Sequence, residues 1–140
     1  MDPFLWRGLE PRFDHNIAVS GSGAKVIKIK ARSEEALGAL AENSFDAAYI
    51  DGSHRAPNVM LDAVLSWKLV KPGGLLIFDD YKWAPELPPH ERPKMAIDAF
   101  LNVLQAQLEV LHIGYQVIVR KPLSPRTIGA AARSRDREPS

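Results

Sequence analysis

Residues 45–54 have the sequence FDAAYIDGSH, and residues 75–81 have the sequence LLIFDDY. Each stretch begins with a short, mostly apolar run of the kind that forms a buried strand, and each run ends in carboxylates. Between them, residues 58–70 carry apolar side chains at helical spacing, and the KPGG sequence at residues 71–74 ends that helix. A strand, a helix and a second strand in this order predict two parallel strands of an α/β sheet.

The same alternation continues toward the N-terminus. Residues 25–30 alternate β-branched and basic side chains, which predicts a half-exposed edge strand. Ser33 is placed to cap a helix that runs to about Glu42. A further helix is predicted within residues 1–20, where apolar side chains recur at a spacing of four.

On the C-terminal side, residues 85–93 are rich in proline and predict a loop over one end of the sheet. A helix follows from Arg92. Residues 108–112 and 115–120 are then apolar runs separated by two residues, a spacing that favours a β-hairpin. The predicted order is strand, helix, strand, helix, strand, helix, hairpin.

Composition limits the chain to one folded domain. Its 140 residues are 46% apolar and 25% charged, with no cysteine and no apolar run long enough to span a bilayer, so we expect a soluble, cytoplasmic protein. Residues 121–140 hold 5 of the 18 basic and 2 of the 17 acidic side chains, which leaves the body mildly acidic and argues against nucleic acid as a partner. We expect a domain over residues 1–121 and a disordered tail over residues 122–140.

Three aspartates follow the two strands that flank the central helix: Asp51 after the first, and Asp79 and Asp80 after the second. The ends of neighbouring parallel strands lie about 5 Å apart. One divalent ion can therefore take all three carboxylates as ligands, and an all-oxygen set favours Mg²⁺ over zinc. Because aspartates after strands also cap loops and helices, the spacing leaves both interpretations open.

His54 lies three residues after Asp51, and Gly52 and Ser53 suit a tight turn that folds the imidazole back over the strand end. Histidine exchanges protons near neutral pH, which suits removal of a proton from a hydroxyl. The alternative is a histidine in an ordinary surface loop. Aromatic residues Tyr81 and Trp83 can form a wall over a ligand at the same place.

The two stretches resemble class I S-adenosylmethionine-dependent methyltransferases. Residues 45–54 and 69–81 are similar, in order and spacing, to the group in which one strand ends in IDGSH and another in FDDY. The resemblance covers about residues 13–121. It implies a partial Rossmann-like α/β fold with a mostly parallel sheet and a C-terminal antiparallel hairpin, in which the first two strands of the family are absent.

The resemblance also implies a function, which is transfer of a methyl group from S-adenosylmethionine to a hydroxyl of a small molecule, assisted by Mg²⁺. The three aspartates are similar to the metal ligands of metal-dependent O-methyltransferases, and His54 falls where those enzymes place a catalytic base. Arg32, Ser33 and Glu34 look like the loop beside the adenine of the cofactor. Asp51 is expected to contact the cofactor as well.

The sequence departs from the family at its N-terminal side. The glycine-rich turn after the first strand, and the acidic residue that ends the second, have no counterpart. The chain is then expected to be inactive alone, or to complete its sheet with a second copy or another chain. Two other hypotheses stay open: a non-catalytic α/β binding or assembly module that pairs through an exposed edge strand, and a metal-dependent hydrolase or sugar transferase that uses Asp79 and Asp80.

Overall fold

The computed structural model of the chain describes residues 8–123, which divide into two compact units between Ala31 and Arg32. The predictions for residues 1–7, and for all of the tail beyond Leu123, lie outside the described residues. Each unit is considered by itself.

The first unit contains helix α1 (Leu9–Val19), as predicted, and a 3₁₀ turn at Gly23–Lys25. The edge strand predicted over residues 25–30 is wrong, because residues 26–30 form no ladder with another strand in the described part of the chain. Lys28 instead forms ion pairs with Glu10 and Asp14 of α1. The side chain of Ile27 is 88% exposed, so the alternating pattern does not bury an apolar face.

The second unit holds a four-stranded sheet and three further α-helices. In chain order these elements are α2 (Ser33–Gly38), β1 (Phe45–Ile50), α3 (Ala56–Leu69), β2 (Val70–Phe78), α4 (Pro93–Val103), β3 (Glu109–Ile113) and β4 (Val117–Arg120). A 3₁₀ turn at Pro89–Glu91 is the one regular element described in the proline-rich loop. The α/β fold and the C-terminal hairpin are therefore confirmed.

The sheet has the order β1-β2-β4-β3. Strands β1 and β2 are parallel neighbours, as the two stretches of sequence predict, and the other two pairs are antiparallel. The hairpin thus adds to the far side of β2 and leaves β1 at one edge of the described sheet. The carboxyl ends of β1 and β2 lie side by side.

Helices α3 and α4 cover one face of this sheet. Every second residue is buried in β4 and in β2 from Gly74 to Phe78, which is the alternation expected when one face packs on helices. Phe100 of α4 is 2% exposed and packs edge-on against Phe78 of β2 and Trp67 of α3, with ring centroids 5.4 and 5.8 Å apart. This packing holds α3, the helix after the loop that follows β1, against the end of β2.

Helix α2 begins differently from the prediction. Ser33 is its first helical residue, Arg32 occupies the N-cap position, and no side chain caps the helix. The helix also ends at Gly38 rather than near Glu42. As the first helical residue, Ser33 is one position past the N-cap, so the predicted capping role falls to Arg32, whose side chain makes no cap hydrogen bond.

The predicted KPGG turn is present, but it lies inside β2 as an irregularity. Phe45 pairs with Val70, and the register then shifts so that Ala47 pairs with Leu75. A β-carbon on Gly74 would lie 2.7 Å from the carbonyl oxygen of Asp46, so only glycine lets the two backbones approach this closely. The turn therefore sets the register that aligns the two strand ends.

Lys121 ties the end of β4 to the end of α3. Its Nζ donates to the carbonyl oxygens of Trp67 and Val70, at 3.0 and 2.9 Å, and to Oδ1 of Asn43 at 3.0 Å. Burial lowers the pKa of Lys121. These acceptors are carbonyls that the end of a helix otherwise leaves without partners.

Among the described residues, no helix is both long enough and apolar enough to cross a membrane.

Candidate active site

The loops after β1 and β2 meet at the carboxyl end of the sheet. The backbone N–H of Asp79 donates to the carbonyl of Ile50 at 3.0 Å, so the two strands stay paired up to this point. A cavity of about 10 Å³, roughly enough for one water molecule, lies between the loops. It is lined by Ile50, Asp51, Gly52, Ser53, His54, Val59, Phe78, Asp79, Asp80 and Pro93. The structure thus brings together the four residues predicted at the strand ends.

His54 and Asp80 form a direct pair. The distance from Nε2 of His54 to Oδ2 of Asp80 is 2.7 Å, and the two side chains are 33% and 21% exposed. The indole of Trp83 lies against the imidazole, with ring centroids 4.3 Å apart and the planes tilted by 37°. His54 is therefore oriented by a carboxylate and an aromatic ring, as a histidine that exchanges protons with a ligand must be.

Asp79 has a different set of partners. Its Oδ1 accepts the backbone N–H of Asp80 at 2.8 Å, and its Oδ2 accepts the phenol of Tyr49. Gln116 Nε2 in turn donates to the Tyr49 oxygen at 2.8 Å. The hydrogen bond from Tyr49 holds the pKa of Asp79 below its ordinary value, and the same carboxylate raises the pKa of Tyr49 to about 12. Asp79 is thus an ionised acceptor already engaged by the protein.

The predicted Mg²⁺ site is not supported. Among residues 8–123, no three histidine, cysteine or acidic side chains are grouped so that they can hold a metal ion. Instead, Tyr49 and the Asp80 N–H donate to the oxygens of Asp79, and Nε2 of His54 lies against one oxygen of Asp80. The hydrolase or sugar transferase hypothesis needed a metal at the same two aspartates and loses its support for the same reason.

The residues predicted beside the adenine line a second cavity. It has a volume of about 220 Å³ and is bounded by Arg32, Ser33, Glu34, Ser53, Asn58, Leu61 and Asp62. Burial raises the pKa of Asp62, against the effect of its hydrogen bond from Ser33. The cavity is smaller than the roughly 300–1,000 Å³ that a whole drug-sized ligand fills, so it suits one part of a larger ligand, such as a planar heterocycle.

Ser53 connects the two cavities, because it lines both of them. Its Oγ accepts the side-chain amide of Asn58 at 2.9 Å, which ties the β1 loop to the start of α3. The predicted site residues therefore form two groups on either side of one loop. Asp51, predicted to contact both metal and cofactor, is exposed and lines only the smaller cavity of these two.

The predicted aromatic wall separates into two parts. Trp83 lies at His54, whereas the Tyr81 hydroxyl donates to Asp98 of α4 at 2.8 Å and accepts from Lys94 at 3.0 Å. Tyr81 thus anchors the loop after β2 to α4.

Sequence reasoning missed Tyr49, Gln116 and Asp62. Tyr49 lies two residues before Asp51 in β1, so period-two alternation places both side chains on the same face of the sheet. This signal could have found the tyrosine. Gln116 is 67 residues from Tyr49, and nothing local indicates their contact.

The histidine–aspartate pair lies outside the carboxyl ends of the two parallel strands, where ligands bind in open α/β sheets. The model of a methyltransferase domain family matches residues 2–81. The chain therefore belongs to this methyltransferase domain family.

The chain is similar to two further proteins. An uncharacterized protein of Acanthamoeba polyphaga mimivirus is 33% identical over 97 residues, which cover 64% of this chain and 44% of that protein. A crystal structure of a protein from Corynebacterium glutamicum superposes with a TM-score of 0.59 at 20% identity, over 77% of this chain and 53% of that one, and shows a shared fold. The chain thus spans about half the length of each of these relatives.

Proposed function

We propose that this chain takes part in methyl transfer from S-adenosylmethionine to the hydroxyl of a small molecule, with His54 as the base. The observation that carries the proposal is the His54–Asp80 pair at the carboxyl ends of β1 and β2 in a chain of the methyltransferase domain family. S-adenosylmethionine would supply an electrophilic methyl group bound to a sulfonium sulfur. When the methyl is transferred, the rest of the cofactor would leave as a neutral thioether.

The chain's own residues have three tasks in this reaction. His54 takes the proton of the acceptor hydroxyl while the oxygen forms its bond to the methyl carbon. Asp80 fixes the imidazole and stabilises the imidazolium that results, at 2.7 Å from Nε2. Trp83 covers one side of the imidazole and excludes water there. The proposed proton transfer uses His54 and Asp80 alone.

The 220 Å³ cavity is the proposed place for the adenine ring. Ser33, Asn58 and Asp62 offer hydroxyl, amide and carboxylate groups on its wall, and Leu61 offers an apolar surface for the ring face. Arg32 is paired with Glu34 at 2.6 Å and closes one side. Ser53 lines both this cavity and the smaller one at His54, so the cofactor would extend past Ser53 toward the base.

Filling this cavity should weaken cofactor binding. Leu61 is 40% exposed and lines the cavity, so Leu61→Trp places an indole in the proposed adenine position. In calorimetric titrations we expect the Kd for S-adenosylmethionine to rise at least about tenfold, which corresponds to about 1.4 kcal/mol. Leu111→Trp is the matched control, because Leu111 is also 40% exposed but lies on β3. Equal affinity of the two variants, or a folded wild type that binds no cofactor, would contradict the proposal.

One observation favours a second function, that of an assembly module. β1 is at the edge of the described sheet, and Phe45 and Tyr49 on it are 40% and 51% exposed. Such an edge accepts a further strand from a second copy or another chain. A chain that sediments only as a monomer and captures no partner would count against this alternative, and cofactor binding by the monomer would favour the enzyme.

A further inference from the structure

Asp80 has an unusual backbone conformation. Its φ angle is +58°, in the left-handed region that residues other than glycine seldom adopt. Asp80 directly follows Asp79 at the end of β2, and it is the residue whose carboxylate meets His54. The direction of that carboxylate therefore depends on a backbone turn that needs outside support.

A chain of three hydrogen bonds supplies this support. Gln116, beside the start of β4, donates to the oxygen of Tyr49 at 2.8 Å, and Tyr49 donates to Oδ2 of Asp79. The other oxygen of Asp79 accepts the N–H of Asp80 at 2.8 Å, which fixes the peptide at the left-handed residue. Side chains from β1 and from the β3–β4 hairpin thus converge on one turn.

The turn is also held on its far side by the main chain. The N–H of Trp83 donates to the carbonyl of Asp80 at 2.9 Å, and the N–H of Tyr81 donates to the carbonyl of Tyr115 at 2.9 Å. These bonds position the loop that carries Trp83. They do not reach the N–H of Asp80, for which Asp79 is the acceptor.

We infer that Tyr49, Gln116 and Asp79 are positioning residues: they hold the Asp80 turn so that its carboxylate accepts a hydrogen bond from the N–H at Nε2 of His54 and leaves Nδ1 as the basic nitrogen. The use of Nδ1 in catalysis rests on the proposed function. The position of the proton on His54 is independent of the proposed function, because a carboxylate beside Nε2 favours the tautomer in which Nε2 carries the proton.

Tyr49 is a good place to test the inference, because its ring is half-exposed and contributes little to the core. Tyr49→Phe removes one hydroxyl and keeps the ring. Asp79 then loses the donor on Oδ2, and the turn at Asp80 loses the support that passes through it.

The measurement is the exchange rate with water of the His54 Nε2 proton, followed by ¹H–¹⁵N NMR on the full chain without cofactor. In the wild type we expect a protected proton on Nε2, and in Tyr49→Phe an exchange rate at least about tenfold faster. Gln116→Leu should give a smaller increase in the same direction. Gln107→Leu is the matched control for Gln116→Leu: Gln107 is exposed and lies before β3, away from the turn in sequence, and its replacement should leave the rate within about twofold.

A merely structural role for Tyr49 would lower thermal stability and leave this exchange rate unchanged in the folded variant. That result, or a wild-type His54 that carries its proton on Nδ1, would overturn the inference. The readout needs neither cofactor nor turnover. Failure of cofactor binding would therefore count against the proposed function and leave this inference intact.

Discussion

His54→Gln should lower the rate of methyl transfer by about 10²–10⁴-fold, the usual contribution of a positioned general base. Glutamine keeps a donor that can reach Asp80 but cannot take the proton of the acceptor hydroxyl. The affinity for S-adenosylmethionine should stay within about threefold, because His54 does not line the larger cavity. The measurement is transfer of labelled methyl from S-adenosylmethionine to a panel of small hydroxyl compounds, together with the Kd from calorimetry.

His112→Gln is the matched control for this variant. His112 is exposed on β3 and does not line either cavity at the β1 loop, so its replacement should change the rate by less than about twofold. A His54→Gln enzyme that keeps more than about a tenth of the wild-type rate would show that the proton leaves by another route.

Lys121→Met should lower the free energy of unfolding by about 2–3 kcal/mol. Methionine keeps an apolar stem over Trp67 but cannot donate the three hydrogen bonds that Lys121 makes. The carbonyl oxygens of Trp67 and Val70 then lose a charged donor, and hydrogen bonds from charged donors are the stronger kind. The Nζ also lies 5.5 Å from the centre of the Trp67 ring, an attraction that methionine cannot supply. The measurement is equilibrium denaturation by urea.

Lys71→Met is the matched control, because it replaces a lysine by methionine at an exposed ion pair. Lys71 and its partner Asp46 have side chains that are 43% and 89% exposed, and such pairs contribute about 0–1 kcal/mol. If the two variants lost equal stability, the Lys121 contacts would have no special role in joining α3 to the end of β4.

The parts of the fold that sequence predicted well are those encoded by local patterns. A short apolar run that ends in carboxylates identified β1 and the end of β2, and helical spacing identified α3 to within two residues at its start. Once these strands are parallel neighbours, their carboxyl ends must meet. That topology brings the loops that carry His54 and Asp80 to the same edge of the sheet.

The errors concern contacts between distant segments. The alternation over residues 25–30 indicates a strand, but a strand exists only when another backbone pairs with it, and no described segment does. The spacing of the three aspartates left a metal site and a capping role both open. Tyr49 and His54 satisfy two of them instead, and these partners come from other elements.

Where the cofactor sits can be measured from the backbone amide shifts of the folded chain on titration with S-adenosylmethionine. We expect the largest shifts at residues 32–34, at the loop of residues 51–54 and at Asn58, with small shifts along β3. A folded chain whose amides do not move at millimolar cofactor, or whose shifts lie on β3 and spare the loop of residues 51–54, would contradict the assignment of this site to methyl transfer.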